Sequence, residues 1–202
     1  MGNGVRVFLI AIWGALTLGG FIWAADGDAR PGPSGAGPMQ IGAERWQKPR
    51  LILFFHPYCP CSRATVAELA KLVARDPGAV DVDARFYRPR TEPEQWTRTD
   101  IWDAASNIPG VTVSEISDDE LKGFGAITSG QALLYDRAGR LVFSGGLTVA
   151  RGHEGDSAGT QSIENFLRMG ETSTSKTPVF GCVLSGEQLS SVQDLPDLDP
   201  KL

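Results

Sequence analysis

The sequence is short of the residues that do most side-chain chemistry. It has two histidines and three cysteines in 202 residues. Three cysteines, an odd number, exclude a small fold stapled by disulfides. No Lys/Arg cluster forms a stripe or tail and the net charge is −5, so no nucleic-acid partner is expected. Also missing are a phosphate-cradling glycine loop, a Ser/His/Asp arrangement with useful context, and any internal repeat. What remains is ordinary globular material, 42% hydrophobic and 21% charged, enough for one core with appendages.

The first feature present is an apolar run. Val7 to Ala25 (VFLIAIWGALTLGGFIWAA) contains no charge and approaches the roughly 20 residues needed to span a bilayer. Arg6 precedes it, and Asp26 and Asp28 follow. The expectation is a transmembrane anchor over 1–25, single-pass, with the bulk of the chain on the periplasmic or extracytoplasmic side. A cleaved signal peptide is the alternative, but Trp23 stands where cleavage after Ala25 requires a small residue. Residues 26–44 are rich in glycine and proline and read as a flexible linker. Residues 45–170 form the globular domain, and 171–202 form an irregular C-terminal tail.

Arg50–Phe55 is a continuous apolar run, expected as a buried strand. Ser62–Arg75 places Val66, Leu69, Ala70 and Val73 at helical spacing and stops at Asp76-Pro77-Gly78. Val80–Tyr87 alternates as a strand, Glu92–Asn107 is expected to be one helix, and Val111–Glu115 a short strand. Ser117 caps a helical segment to Lys122. Gln131–Tyr135 and Leu141–Ser144 form a hairpin around Asp136-Arg137-Ala138-Gly139, and Ser162–Met169 a last helix. Strands alternating with helices and closed by a hairpin imply an α/β fold, a mixed sheet flanked by helices.

Cys59-Pro60-Cys61 falls between the first strand and its helix. A cysteine at a helix start meets unpaired N–H groups and a dipole that favours an anion. The thiolate is the form that attacks disulfides and binds metals. Cys59 is therefore the better nucleophile and Cys61 its partner, with Arg63 in the first turn adding positive potential. A Cys-x-Cys disulfide closes a small, strained ring, and strained disulfides are more reducible than ordinary structural ones. The plainer alternative is a structural disulfide or inert thiols. Tyr58 reads as a wall of the site, and Asp118-Asp119-Glu120 as a solvated helix start.

These segments resemble the thioredoxin-like superfamily, nearest its membrane-anchored bacterial branch. The resemblance is carried by LILFFHPY leading into Cys59, by Phe124–Gly130 before a strand, and by the hairpin QALLYDRAGRLVFSGG. The chain also resembles a small set of bacterial thioredoxin-like proteins called RedB, through His56–Ala64, Arg151–Gly155 and Thr177–Cys182. It departs from the superfamily pattern twice. Ser62 stands where the second cysteine of Cys-x-x-Cys belongs, and Gly130 where a cis-proline belongs.

The resemblance implies a thiol–disulfide oxidoreductase acting on protein thiols and disulfides. It implies that the loop after Gly146 hangs over the cysteines, bringing His153 as proton shuttle and Glu154 to orient it, with Cys182 as a second resolving thiol. The catalytic candidates are thus Cys59, Cys61, His153 and Cys182, with no cofactor. The alternative is a metallochaperone-like protein binding copper or zinc through His56, Cys59, Cys61 and His153, which are soft sulfur and imidazole ligands. For His153 the plainer reading is a loop histidine bonded to backbone. For His56 it is packing beside Pro57, and for Cys182 a free or buried thiol.

Overall fold

The computed structural model describes residues 3–42 and 45–184. The chain divides into two units, one ending at Arg30 and one beginning at Pro31. The first is a single helix, α1 (Asn3–Ala29). Among the described residues no helix is long and apolar enough to cross a membrane. That corrects the expected transmembrane helix, and with it the membrane partner and the single-pass extracytoplasmic location. In the sequence Arg6, Asp26 and Asp28 flank the apolar run. The helix that forms is longer than the apolar run and takes all three charged positions into its length.

The second unit is built on a five-stranded sheet in the order β3-β2-β1-β4-β5. Its strands are β1 (Arg50–Phe55), β2 (Asp81–Tyr87), β3 (Val111–Ile116), β4 (Gln131–Tyr135) and β5 (Leu141–Gly146). β1 runs parallel to β2 and β2 to β3, while β4 is antiparallel to both β1 and β5. A strand hydrogen-bonded on both sides and covered on both faces has no solvent side, which is why β1 reads as an unbroken apolar run. Leu51, Leu53, Phe54 and Phe55 are wholly buried.

α2 (Ser62–Arg75) begins and ends where its apolar period predicts. Its Val66, Leu69 and Leu72 join Leu51, Leu53 and Phe55 in the larger core cluster, with α5 (Ala158–Met169) contributing Ile163. A second cluster on the other sheet face gathers Ile52, Phe54, Leu121, Leu133 and Tyr135, with Leu121 supplied by α4 (Asp118–Phe124). The helix expected over 92–107 is two pieces, a 3-10 turn Glu94–Thr97 and α3 (Asp100–Ser106). Thr99 breaks it by adopting an extended backbone and capping α3. Its hydroxyl also donates to the Pro57 carbonyl, so a contact with the cysteine turn fixes the break.

Part of the Gly- and Pro-rich stretch is stitched to this unit. Gly32 N–H donates to the Val179 carbonyl at 2.8 Å, and Gln131 Nε2 to the Gly35 carbonyl at 2.9 Å. Absence of side chains is what permits the approach: a Cβ on Gly35 would lie 1.7 Å from the Gly125 carbonyl oxygen. The chain after α5 is also held, for Lys176 bridges to Ser144 and Val183 to Thr128. The part of the expected tail beyond Leu184 lies outside the described residues.

Candidate functional site

The site forms where three chain directions converge. β1 ends at Phe55 and delivers His56–Cys61 to one end of the sheet's central strands. β4, antiparallel to β1, starts at that end, and β5 returns to it, so the loop 147–155 is anchored there too. The cysteine turn is tight: Cys59 N–H donates to the His56 carbonyl at 3.1 Å and Ser62 N–H to the Cys59 carbonyl at 3.0 Å. Cys61 is the N-cap of α2, with helical backbone angles and no side-chain capping bond. Its thiol is therefore not committed to the helix end.

Cys59 is 1% exposed. Burial alone raises a thiol pKa, because it penalises the anion. Here donors overcome it. The Cys182 N–H donates to the Cys59 sulfur, and the Cys182 thiol, the Cys61 N–H and the Ser62 hydroxyl around it add to the same effect and hold it below the ordinary thiol value. The Cys182 N–H lies 3.3 Å from that sulfur. Cys61 is pushed up by burial and by the neighbouring Cys59 thiolate, with the Arg151 guanidinium partly offsetting both. Cys182 is pushed up to about 12, by burial first, then by its hydrogen bond to Cys59 and the charge there. The anion is thus favoured at Cys59 over its two neighbours Cys61 and Cys182.

This ordering gives a pH prediction. Alkylation of Cys59 should follow a titration with its midpoint below that of an ordinary thiol. Removing a donor to the anion raises the pKa, so Cys182→Ala should move the midpoint upward. Iodoacetamide rates measured from pH 5 to 10 check both. An unmoved midpoint would mean that the Cys182 thiol does not support the Cys59 anion.

Sequence reasoning missed three contributors. Arg151 is the cation of the site: its Nη1 donates to the Gly181 carbonyl at 2.6 Å, and its side chain also bonds Cys61. Arg63, expected in that role, pairs with Asp100 instead. Ser62, read only as a missing cysteine, is buried and shares a 2.8 Å hydrogen bond with the Ser129 hydroxyl, which also accepts the His56 N–H. Ser129 precedes Gly130, and that neighbourhood was the available signal. Gly130 has φ +89° in a trans peptide, and a Cβ there would press to 3.0 Å on Thr65 Oγ1.

The two histidines take different places. His56 Nδ1 accepts the Tyr58 N–H at 3.2 Å, and its ring packs edge-on to Trp96 at 5.4 Å; burial lowers its pKa. Tyr58 is exposed and packs on the same Trp96. His153 lies exposed on the loop, with Nδ1 2.7 Å from the Arg151 carbonyl. A carbonyl only accepts, so Nδ1 carries the proton and Nε2 is the basic nitrogen. Glu154 pairs with Lys71 at 2.8 Å rather than with His153. Buried Glu68 accepts the Gly155 N–H, which ties the loop to α2. Among the described residues no group of three or more His, Cys, Asp and Glu could hold a metal ion. The set His56, Cys59, Cys61 and His153 is therefore not gathered into a copper or zinc site. The three cysteines are all free thiols.

The parallel β1-β2-β3 half, the antiparallel β4-β5 half, and a reactive turn leading from β1 into α2 decide the architecture. The fold is thioredoxin-like. No protein-family model matches the sequence, and no curated protein matches it. Among solved structures, a hypothetical protein from Sinorhizobium meliloti 1021 is similar at TM-score 0.56 and 19% identity, over 78% of this chain and 96% of that chain. An uncharacterized conserved protein from Geobacillus kaustophilus is similar at TM-score 0.55 and 17% identity, over 76% of this chain and 92% of that one. A secreted Mycobacterium tuberculosis disulfide oxidoreductase shows TM-score 0.43 and 14% identity, over 64% and 96%. The first two share this chain's fold over most of their length. The narrower resemblance to the RedB set rests on the sequence segments alone.

Proposed function

We propose that this thioredoxin-like chain is a thiol–disulfide oxidoreductase acting on protein thiols and disulfides through Cys59 and Cys61. The observation that carries the reading is the concentration of donors on the Cys59 sulfur, which favours its anion despite nearly complete burial. An inert buried thiol has no use for that arrangement, whereas disulfide exchange requires the thiolate.

In the reductive direction the Cys59 thiolate attacks one sulfur of a partner disulfide. The partner's S–S bond breaks, its leaving thiolate takes up a proton, and Cys59 is left in a mixed disulfide. With the Cys59 charge gone, Cys61 loses the neighbour that raised its pKa, and Arg151 then favours its anion. The Cys61 thiol gives its proton to a base; His153, with a basic Nε2 on the same loop as Arg151, is assigned that role. Cys61 attacks the Cys59 sulfur and the partner leaves as a second thiol. The chain then holds a Cys59–Cys61 disulfide, oxidised by two electrons, and an external dithiol returns it to the start. The RedB resemblance fits this reading, because its three segments supply Cys59 and Cys61, Arg151 and His153, and Cys182.

Cys61→Ser combined with Cys182→Ala, which removes both thiols able to resolve Cys59, tests the assignment. A variant able to attack but not to resolve should accumulate mixed disulfides with protein partners, visible as reducible bands on non-reducing gels. Adding Cys59→Ser to that variant should remove them. Adducts that persist once Cys59 is also replaced would move the nucleophile away from Cys59.

A further inference from the structure

The strongest unexplained feature is the manner in which the chain closes over its own nucleophile. Residues 182–184 meet the loop before β4 through one isolated antiparallel bridge. Ser129 N–H donates to the Cys182 carbonyl and Leu184 N–H to the Ile127 carbonyl, both at 2.8 Å, forming the antiparallel bridge Thr128–Val183. These two bonds are the unit of strand addition, in which a sheet-like edge takes up an extended peptide through main-chain groups. The added strand is here the protein's own, and its cysteine faces Cys59.

The segment is positioned rather than merely nearby. Upstream, Val179 is wholly buried and receives the Gly32 N–H, while the Pro178 carbonyl receives the Gly146 N–H. Leu184 is buried at the far end. Gly181 passes so close to the Ser129 carbonyl that a Cβ would lie 2.0 Å from its oxygen. Arg151 holds the Gly181 carbonyl from the opposite loop. Between these fixed points the Cys182 N–H and thiol both turn to the Cys59 sulfur.

Resting on the oxidoreductase reading above, we propose that Gly181–Leu184 is a redox latch. It occupies the place of a partner's extended, cysteine-bearing strand, and on oxidation Cys182 closes it through a disulfide to Cys59. In the reduced protein the latch is held by hydrogen bonds to the Cys59 sulfur. With a small-molecule disulfide such as glutathione disulfide, the Cys59 thiolate first attacks, releasing one glutathione thiolate. Cys182 gives its proton to the released glutathione thiolate, attacks the Cys59 sulfur and expels the second glutathione, which takes up a proton from water. The balance is two protein thiols oxidised to one disulfide and one glutathione disulfide reduced to two thiols. A Cys59–Cys182 bridge closes a long loop, while Cys59–Cys61 closes a ring small enough to be strained. The first oxidised form is therefore the latched one. It opens when Cys61 attacks Cys59, forming Cys59–Cys61 and returning Cys182 to a thiol with the proton that Cys61 gave up.

The test uses the full chain. Reduced protein is treated with one equivalent of glutathione disulfide, quenched in acid, alkylated and mapped by mass spectrometry. The latch predicts a Cys59–Cys182 bridge with Cys61 alkylated. A Cys59–Cys61 or Cys61–Cys182 bridge as the first product overturns the latch and leaves the oxidoreductase reading standing. Cys59 recovered fully alkylated, bridged to nothing, overturns both. Leu184→Pro removes the N–H that pairs with Ile127, and Arg151→Gln removes the charge on the Gly181 carbonyl while sparing the buried leucine. Either should raise the rate at which Cys59 reacts with a cysteine-bearing peptide disulfide by about tenfold, the scale of one main-chain hydrogen bond. Rates equal to wild type in both variants overturn the latch, while no reaction in any of the three proteins overturns the parent reading.

Discussion

Replacing Cys59 with serine is expected to reduce turnover of a mixed-disulfide substrate on the order of a thousandfold or more, the scale seen when a catalytic nucleophile is removed. The reason lies in protonation. The donors around this position stabilise a thiolate, and a serine hydroxyl stays protonated at any pH the protein survives. The fold should tolerate the change, because serine is close in size and the same N–H groups and Ser62 hydroxyl can bond its oxygen. Activity and stability should therefore separate. Turnover of a glutathionylated peptide measures the first, and the urea midpoint measures the second. If turnover in Cys59→Ser stays within tenfold of wild type, another thiol carries the reaction. Cys61→Ser combined with Cys182→Ala differs in kind, since it leaves attack intact and stops resolution.

The parts of this arrangement that were legible in the sequence are those encoded by local pattern. β1 and α2 fall where a continuous apolar run and a 3.6-residue period place them, and Cys59 and Cys61 lie between the two. Ser117 and its helix were readable because a capping box is local, with Glu120 reaching back to the Ser117 N–H. The break at Thr99 was not readable, because it answers a contact with Pro57 forty-two residues away in sequence. Arg151 and Ser129 were hidden for the same reason: what matters is the carbonyl or hydroxyl each meets after folding. The close approach of Gly181 likewise follows from the Ser129 carbonyl, which leaves no mark on residues adjacent to Gly181. The N-terminal run misled in the opposite way. A charge-free stretch is a local pattern, but the helix it entered extends to Asn3 and Ala29 and includes the charges beyond it.

The second large effect concerns the support beneath the site. Leu69 is wholly buried on α2, one turn beyond Thr65 and Val66, in the cluster formed with Leu51, Leu53 and Phe55. Leu69→Ala should cost about 2–5 kcal/mol, the lost transfer of the side chain plus the cavity left between helix and sheet. A domain of this size has a net stability of about 5–15 kcal/mol, so the loss is a large share of it. The urea midpoint should fall while the slope of the transition stays near wild type. Met169→Ala, at an exposed position on α5, should change stability by no more than about 0.5 kcal/mol and serves as the control. The consequence for chemistry follows from where α2 begins. Cys61 caps that helix and Ser62, a donor to Cys59, is its first residue, so the donors on Cys59 depend on α2 staying seated on β1. In the folded fraction of Leu69→Ala, the Cys59 alkylation midpoint should therefore move up toward the free-cysteine value. A midpoint that stays at the wild-type value despite a full loss of 2–5 kcal/mol would show that the cysteine turn is held by its own hydrogen bonds, independently of the core beneath α2.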